Sequence, residues 1–216
     1  MSTTPNGILK PLQLSCTSTD CTNNLHCFQL SRRLLRLGPA GRCRDCGVQL
    51  IDWARVHRRD ATDVTYTFEA LRYELIRHHF WHIPLSDYAI NYARRKGALA
   101  LKPAARKQVE NAVGSPIHPA QGRQTPRETN PKATAIHYAQ HATACCCRKC
   151  LEEWHGIPAG RHLTTDEIDY LTNLVMLYVS ARTPDLSDES VHIPKRRPPS
   201  TSSQGLQPQT ELQHAS

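Results

Sequence analysis

Nine cysteines in a chain of 216 residues fall into two clusters, separated by almost a hundred cysteine-free residues. The first is Cys16, Cys21, Cys27, Cys43 and Cys46; the second is Cys145, Cys146, Cys147 and Cys150. Each contains a C-x-x-C step with histidines nearby, the usual way a chain presents thiolate and imidazole to a tetrahedral zinc ion. Composition strengthens this reading. Only 39% of the residues are hydrophobic and 6% aromatic, so two small modules would each have a thin core, and small domains commonly need a metal or disulfide staple. The N-terminal MSTTPNGILKPLQLS lacks the charged and apolar regions of a signal peptide, and no stretch approaches the ~18 apolar residues of a membrane span. An odd cysteine count without export points to a cytoplasmic, reducing setting, and to metal rather than disulfides.

The fold expected is mainly α with minor β: two small zinc-stapled helical modules joined by a connector, with a disordered C-terminal tail. Residues 1–13 read as a flexible leader, 14–97 as the N-terminal zinc-knuckle module and 98–131 as the Ala-, Pro- and Gln-rich connector. Residues 132–182 read as the C-terminal Cys/His module and 183–216 as the disordered tail, since Pro, Ser and Gln cannot bury enough apolar surface to offset ordering. A helical stripe of Cys27, Leu30, Leu34 and Leu37 ends at Gly38-Pro39. A second helix is expected from about 63–67 to His82, a third from Ser86 to Gly97, and a short one over 146–155 ended by Gly156. The last begins at a capping box, Thr164 with Glu167, and buries Ile168, Leu171, Val175 and Tyr178. The strand signal is confined to 47–51.

In the first cluster, Cys43-Arg-Asp-Cys46-Gly47 is the strongest metal signal, because backbone N–H groups between two such cysteines can bond their thiolates. Cys16 and Cys21 lie in loop sequence and complete a set of Cys16, Cys21, Cys43 and Cys46. Cys27 reads as a buried small hydrophobe, and His26 and His57 stand in reserve. In the second cluster the simplest set is His141, Cys147, Cys150 and His155, with Cys146 as the main alternative. Two zinc ions are therefore expected; an iron–sulfur cluster in the second would use every cysteine there.

The formal charge of +8 is uneven, residues 14–97 holding thirteen Lys and Arg against eight Asp and Glu. Arg32, Arg33, Arg36, Arg58, Arg59, Arg94 and Arg95 are the candidate contacts to a nucleic-acid backbone. His78 and His82, four apart, fall on the stripe of Phe68, Leu71 and Leu75 and are either core histidines or half of a catalytic metal site. Neither H-E-x-x-H, G-x-S-x-G nor a phosphate-cradling glycine loop occurs. Three functions stay open: a nucleic-acid-associated zinc protein without a membrane role, a metal-dependent hydrolase or nuclease using the histidine-rich helix, and a zinc-stabilised interaction scaffold. Whether the chain is an enzyme is not written in it.

The stretch QHATACCCRKCLEEWHGIPAGRHLTTDEIDYLTNLVM, residues 140–176, resembles a bacterial family known only as a domain of unknown function. Gln140, His141, Cys146, Cys147, Cys150, Trp154, His155, Gly156 and Pro158 match its pattern, and Cys145 is extra to it. The resemblance implies no activity. FEALRYELIRHHFWHIP and NYARRKG in the first half also have the look of a bacterial module of unknown function.

Overall fold

A computed structural model describes residues 14–116 and 125–194. The leader 1–13, part of the connector and the tail beyond Pro194, with Lys195-Arg196-Arg197, lie outside the described residues. Eight α-helices occur among the described residues: α1 (Arg32–Leu35), α2 (Trp53–His57), α3 (Val64–Ala70), α4 (Leu75–His82), α5 (Asp87–Val113), α6 (Ala135–Ala142), α7 (Arg148–His155) and α8 (Thr165–Arg182). Strand pairing among them is limited to two isolated bridges, Asp20 with Leu25 and His26 with Glu74. The chain is mostly helical.

The helix ends follow from local chemistry. Thr164 and Glu167 close the capping box on α8, each satisfying a backbone N–H that a helix start leaves without a partner. Gly156 ends α7 in the left-handed region at φ 61°, a conformation a side chain disfavours. On α8, Leu171, Val175 and Tyr178 are fully buried, as their spacing predicts. α8 packs on α5 and α6, and α6 packs on α4 and α5. One hydrophobic cluster includes Phe80, Leu101, Ile136, Leu151, Leu171 and Tyr178, so residues from both expected modules share it. Its edge is sealed by polar links: the Tyr178 hydroxyl donates to the Phe80 carbonyl at 2.6 Å, and Arg182 Nη2 to that of Ile83 at 2.7 Å.

The strand expected over 47–51 does not form, and three helices differ from the sequence-based expectation, each for a tertiary reason. The expected Cys27–Leu37 helix is reduced to Arg32–Leu35, started by the Ser31 hydroxyl accepting from Leu34 N. Its forerunners Cys27 and Phe28 are buried, whereas Leu37 is 71% exposed. The expected 63–82 helix breaks at a 3-10 turn over Leu71–Tyr73, and Glu74 is extended at φ −92°, ψ 123°. There His26 pairs with the chain: His26 N donates to Tyr73 O at 2.7 Å and Leu75 N to His26 O at 2.9 Å. The break resets the helical phase, so α4 buries Ile76, Arg77, Phe80 and Trp81 rather than the stripe through His78 and His82. Finally, α5 runs through the start of the expected connector and kinks at Gly97 (φ 71°, ψ 161°). The N–H groups freed by the kink, at Ala98 and Leu99, donate to Ser187 and Asp188 carbonyls at 2.8 and 3.1 Å. A Cβ at Gly97 would sit 2.4 Å from the Glu189 backbone; the first residues of the tail thus pack against the kink.

Candidate metal centres

The first centre is built from loops. An antiparallel bridge joins Asp20 to Leu25, and the turn between them, with Asn24 left-handed at φ 57°, brings Cys21 round to His26. A second turn holds Cys43 and Cys46: Cys43 N donates to Val48 O at 2.8 Å and Gly47 N to Cys43 O at 3.1 Å, with Gly47 at φ 77°. One donor atom from each of Cys21, His26, Cys43 and Cys46 lies within 4.8 Å of the others. Cys21 and Cys43 sulfurs are 3.7 Å apart, and Cys46 Sγ is 3.5 Å from His26 Nδ1. His26 Nε2 is 3.0 Å from Asn24 Oδ1, a contact that favours the proton on Nε2 and leaves the Nδ1 lone pair facing the sulfurs, as ligation requires. Burial pushes the Cys43 thiol up, but backbone N–H groups at Cys27, Cys46 and Asp45 together with His26 outweigh it and bring it down to about 6. This donor set fits a closed, four-ligand zinc site. His26 stands where the sequence reading placed Cys16. Cys27 is fully buried, its thiol donating to the Cys16 carbonyl at 3.2 Å.

The second centre is built on a helix start. Cys147 is the N-cap of α7 and Cys150 lies in its first turn; their sulfurs and that of Cys146 lie within 4.8 Å of one another, with Cys146 and Cys150 3.5 Å apart. The hydrogen bond with Cys146, then burial, pushes Cys147 up to about 11. A buried guanidinium faces the group. Arg77, 2% exposed, donates from Nη2 to Cys150 Sγ at 3.2 Å and from Nη1 to the His141 carbonyl at 2.7 Å, with Cys146 Sγ at 3.9 Å. Glu74, equally buried, accepts from Arg77 Nε at 2.9 Å and from the Trp154 indole N–H at 2.7 Å. Burial works against the Arg77 charge, yet Cys150, Glu74, Cys146 and Cys16 together hold its pKa well above the usual value. A positive charge fixed beside sulfurs stabilises the thiolates that a metal needs.

The histidines expected here are placed elsewhere. His155 Nε2 contacts the Thr143 carbonyl at 3.0 Å and Nδ1 the Tyr170 hydroxyl at 3.2 Å. Burial drives its pKa down to about 3, a neutral core imidazole. His141 stacks on Phe80 at 4.6 Å, with Nε2 3.1 Å from the Thr125 carbonyl. Cys145 turns to the other core, bonded to Thr143. The two centres border one small apolar cluster that includes Phe28, Val56 and Trp154, with Cys43, Cys146 and Cys150 among its buried members. Trp53 and Trp154 meet there at 5.1 Å.

Of the candidate phosphate contacts, Arg33, Arg36, Arg58 and Arg94 are exposed and Arg95 half-buried. Arg32 lies on α1. Arg59 is engaged inside the molecule, donating to the His155 carbonyl at 3.0 Å with Glu167 at 3.9 Å. His78 and His82 stack on each other at 3.9 Å, His82 exposed, and His79 faces Glu128 at 3.6 Å. Sequence reasoning considered Glu74 only as a carboxylate beside His78 and His82 and missed its buried pairing with Arg77, since an i, i+3 ion pair ordinarily marks a solvated face.

Residues 65–180 match the family described as Domain of unknown function (DUF4186). The chain belongs to this family. The DUF4186 region spans Glu74, Arg77 and the second centre, while the first centre precedes it. No solved structure matches the chain. No helix among the described residues is long and apolar enough to cross a membrane. The chain thus carries a domain of unknown function and two groups of Cys and His side chains that could hold metal ions.

Proposed function

We propose that this is a two-zinc protein that binds nucleic-acid backbones through the segment ordered by its first metal centre. The observation that carries the reading is the closed donor set of Cys21, His26, Cys43 and Cys46 within a segment, residues 14–60, holding eight arginines and four aspartates. Four protein donors leave zinc no open position for substrate, so the ion organises rather than catalyses. In the same segment Arg33, Arg36 and Arg58 are exposed, and guanidinium groups in solvent can pair with phosphate oxygens without base readout. Arg94 and Arg95, in the last turn before the α5 kink, are exposed and half-buried and are further candidates outside that segment, whereas Arg59 is committed to Glu167 and His155. All nine thiols are free, which suits a reducing cytoplasm.

Fluorescence anisotropy with a duplex DNA and a single-stranded RNA of mixed sequence, across a salt series, tests this. Binding should weaken linearly on a log–log plot, with a slope reduced by about 0.9 on duplex DNA for each phosphate contact removed. The triple variant Arg33→Ala/Arg36→Ala/Arg58→Ala should therefore bind more weakly and with a shallower slope. Affinity insensitive to salt, or unchanged in the triple variant, would rule the reading out. The hydrolase reading gains no support from the histidine-rich helix, where His78 and His82 contact each other and belong to no three-donor group among the described residues.

A further inference from the structure

The long helix α5 carries six Lys and Arg against two acids, Asp87 and Glu110. Its ion pairs use one of the six: Arg106 meets Glu110 on the same helix and Asp169 on α8. Lys96, Lys102 and Lys107 have no carboxylate partner among the described residues. Two of these lysines line one groove on the helix, Lys96 beside Tyr92 and Lys107 further along. We propose that this groove is a path for single-stranded nucleic acid, with phosphates on Lys96 and Lys107 and a base against Tyr92. The path is separate from the arginines of the first centre and does not depend on them, since α5 contributes no donor to either metal group.

The groove follows from spacing. Ala100, Ala104, Gln108 and Asn111 recur at i, i+4, i+8 and i+11, so one stripe of α5 sets short side chains between longer ones. The stripe beside it, Leu101, Ala105, Val109 and Ala112, is buried and seats the helix against α6 and α8. The depression has a volume of about 440 Å³, and Ala100 to Asn111 spans about 16 Å of helix. No carboxylate lines it.

Its aromatic end is fixed. Tyr92 is half-buried and packs against the main core, with Lys96 Nζ 5.9 Å from the ring centroid. Tyr88, one turn earlier, is 41% exposed. A held ring beside a cation suits a single strand, because every unstacked base offers a π-face to the ring while its phosphate meets the lysine. A duplex keeps its bases inside and cannot bring one onto a side chain without unpairing it. Gln108 and Asn111 add amide donors and acceptors at the far end. Past Lys96 the character changes: the adjoining groove holds Asp188 and Glu189 beside Arg95, so the anion path ends at the kink.

Fluorescence anisotropy of the full chain with a labelled oligothymidylate, and with a duplex of the same length, over a salt series tests this. Lys107→Ala should lower the single-strand salt slope by about 0.7, one phosphate contact. Lys102→Ala makes the same charge change on the same helix, at an exposed position outside the groove, and should leave the slope at the wild-type value. Tyr92→Leu should weaken single-strand binding about fivefold or more with the slope retained, as loss of one stacked base does. Lys96→Ala/Lys107→Ala, which should lower the slope further, is the readout if Tyr92→Leu does not fold. Duplex binding should be unchanged in all of them. Equal effects of Lys102→Ala and Lys107→Ala overturn the proposal, since the helix then acts only as diffuse charge. Equal losses on the duplex also overturn it, as does displacement of the strand by polyglutamate as readily as by unlabelled oligothymidylate. If Arg33→Ala/Arg36→Ala/Arg58→Ala abolishes binding and Lys107→Ala does nothing, the first-centre reading stands and this one falls; the reverse result keeps this one and removes the other.

Discussion

The two metal centres are assembled by opposite means. At the first, donors from two loops meet, with Cys46 exposed, Cys21 half-buried and Cys43 and His26 buried, and backbone N–H groups stabilise the Cys43 thiolate. At the second, the sulfurs sit at the start of α7, Cys146 and Cys150 are each 2% exposed, and a buried arginine stands in for solvent. A loop-built centre can release its ion at the cost of local order. The second centre shares its wall with the buried Arg77 and Glu74, so its chemistry and the stability of the fold are one quantity.

The largest effect expected from this contrast is at Arg77. Arg77→Leu leaves Glu74 buried without its cation, and breaking a buried pair from one side typically costs about 3–5 kcal/mol. Urea unfolding of the metal-free protein should show that loss. Arg55→Leu removes the half-buried partner of Asp63, a surface pair that solvent screens and whose loss should be small beside that at Arg77. Equal losses at the two positions would erase the distinction drawn above.

Acid should act next. His155 is neutral in the fold, its pKa pushed from 6.5 to about 3 by burial. Between those values the unfolded chain binds a proton that the folded chain refuses. Stability therefore falls as pH drops below about 6.5, and the decline ends near 3. His155→Gln should flatten that part of the pH–stability curve relative to wild type; an unaltered curve means the imidazole is not held neutral.

The smallest effect belongs to the start of α8, which contributes no donor to either centre. Thr164→Ala removes the α8 cap and should cost about 1 kcal/mol, with metal content unchanged. Loss of metal in that variant would show that the centres depend on the whole bundle rather than on their own walls.

What the sequence revealed tracks how local each cause is. The α8 cap and its buried face, and the glycine end of α7, depend on neighbours a few residues apart and were legible. The break at Glu74 was not, because RYELIRHHFWH contains good helix formers and the interruption comes from His26, nearly fifty residues earlier. The same pairing carries Glu74 and Arg77 into the interior, a placement no charge pattern announces. Cys-x4-Cys and Cys-x4-His steps both occur around Cys21, and spacing cannot choose between them. The turn that brings His26 to Cys46, with Asn24 against its other nitrogen, does. His141 and His155 flank the second cluster as ligands would, yet the fold places both against backbone carbonyls.

The most direct measurement is the zinc content of the full chain purified under reducing conditions without added metal. Two zinc ions per chain, one of them removed more readily by a chelator in step with the exposed Cys46 of the first centre, is the predicted result. A chain that is fully folded and holds no zinc would contradict the account.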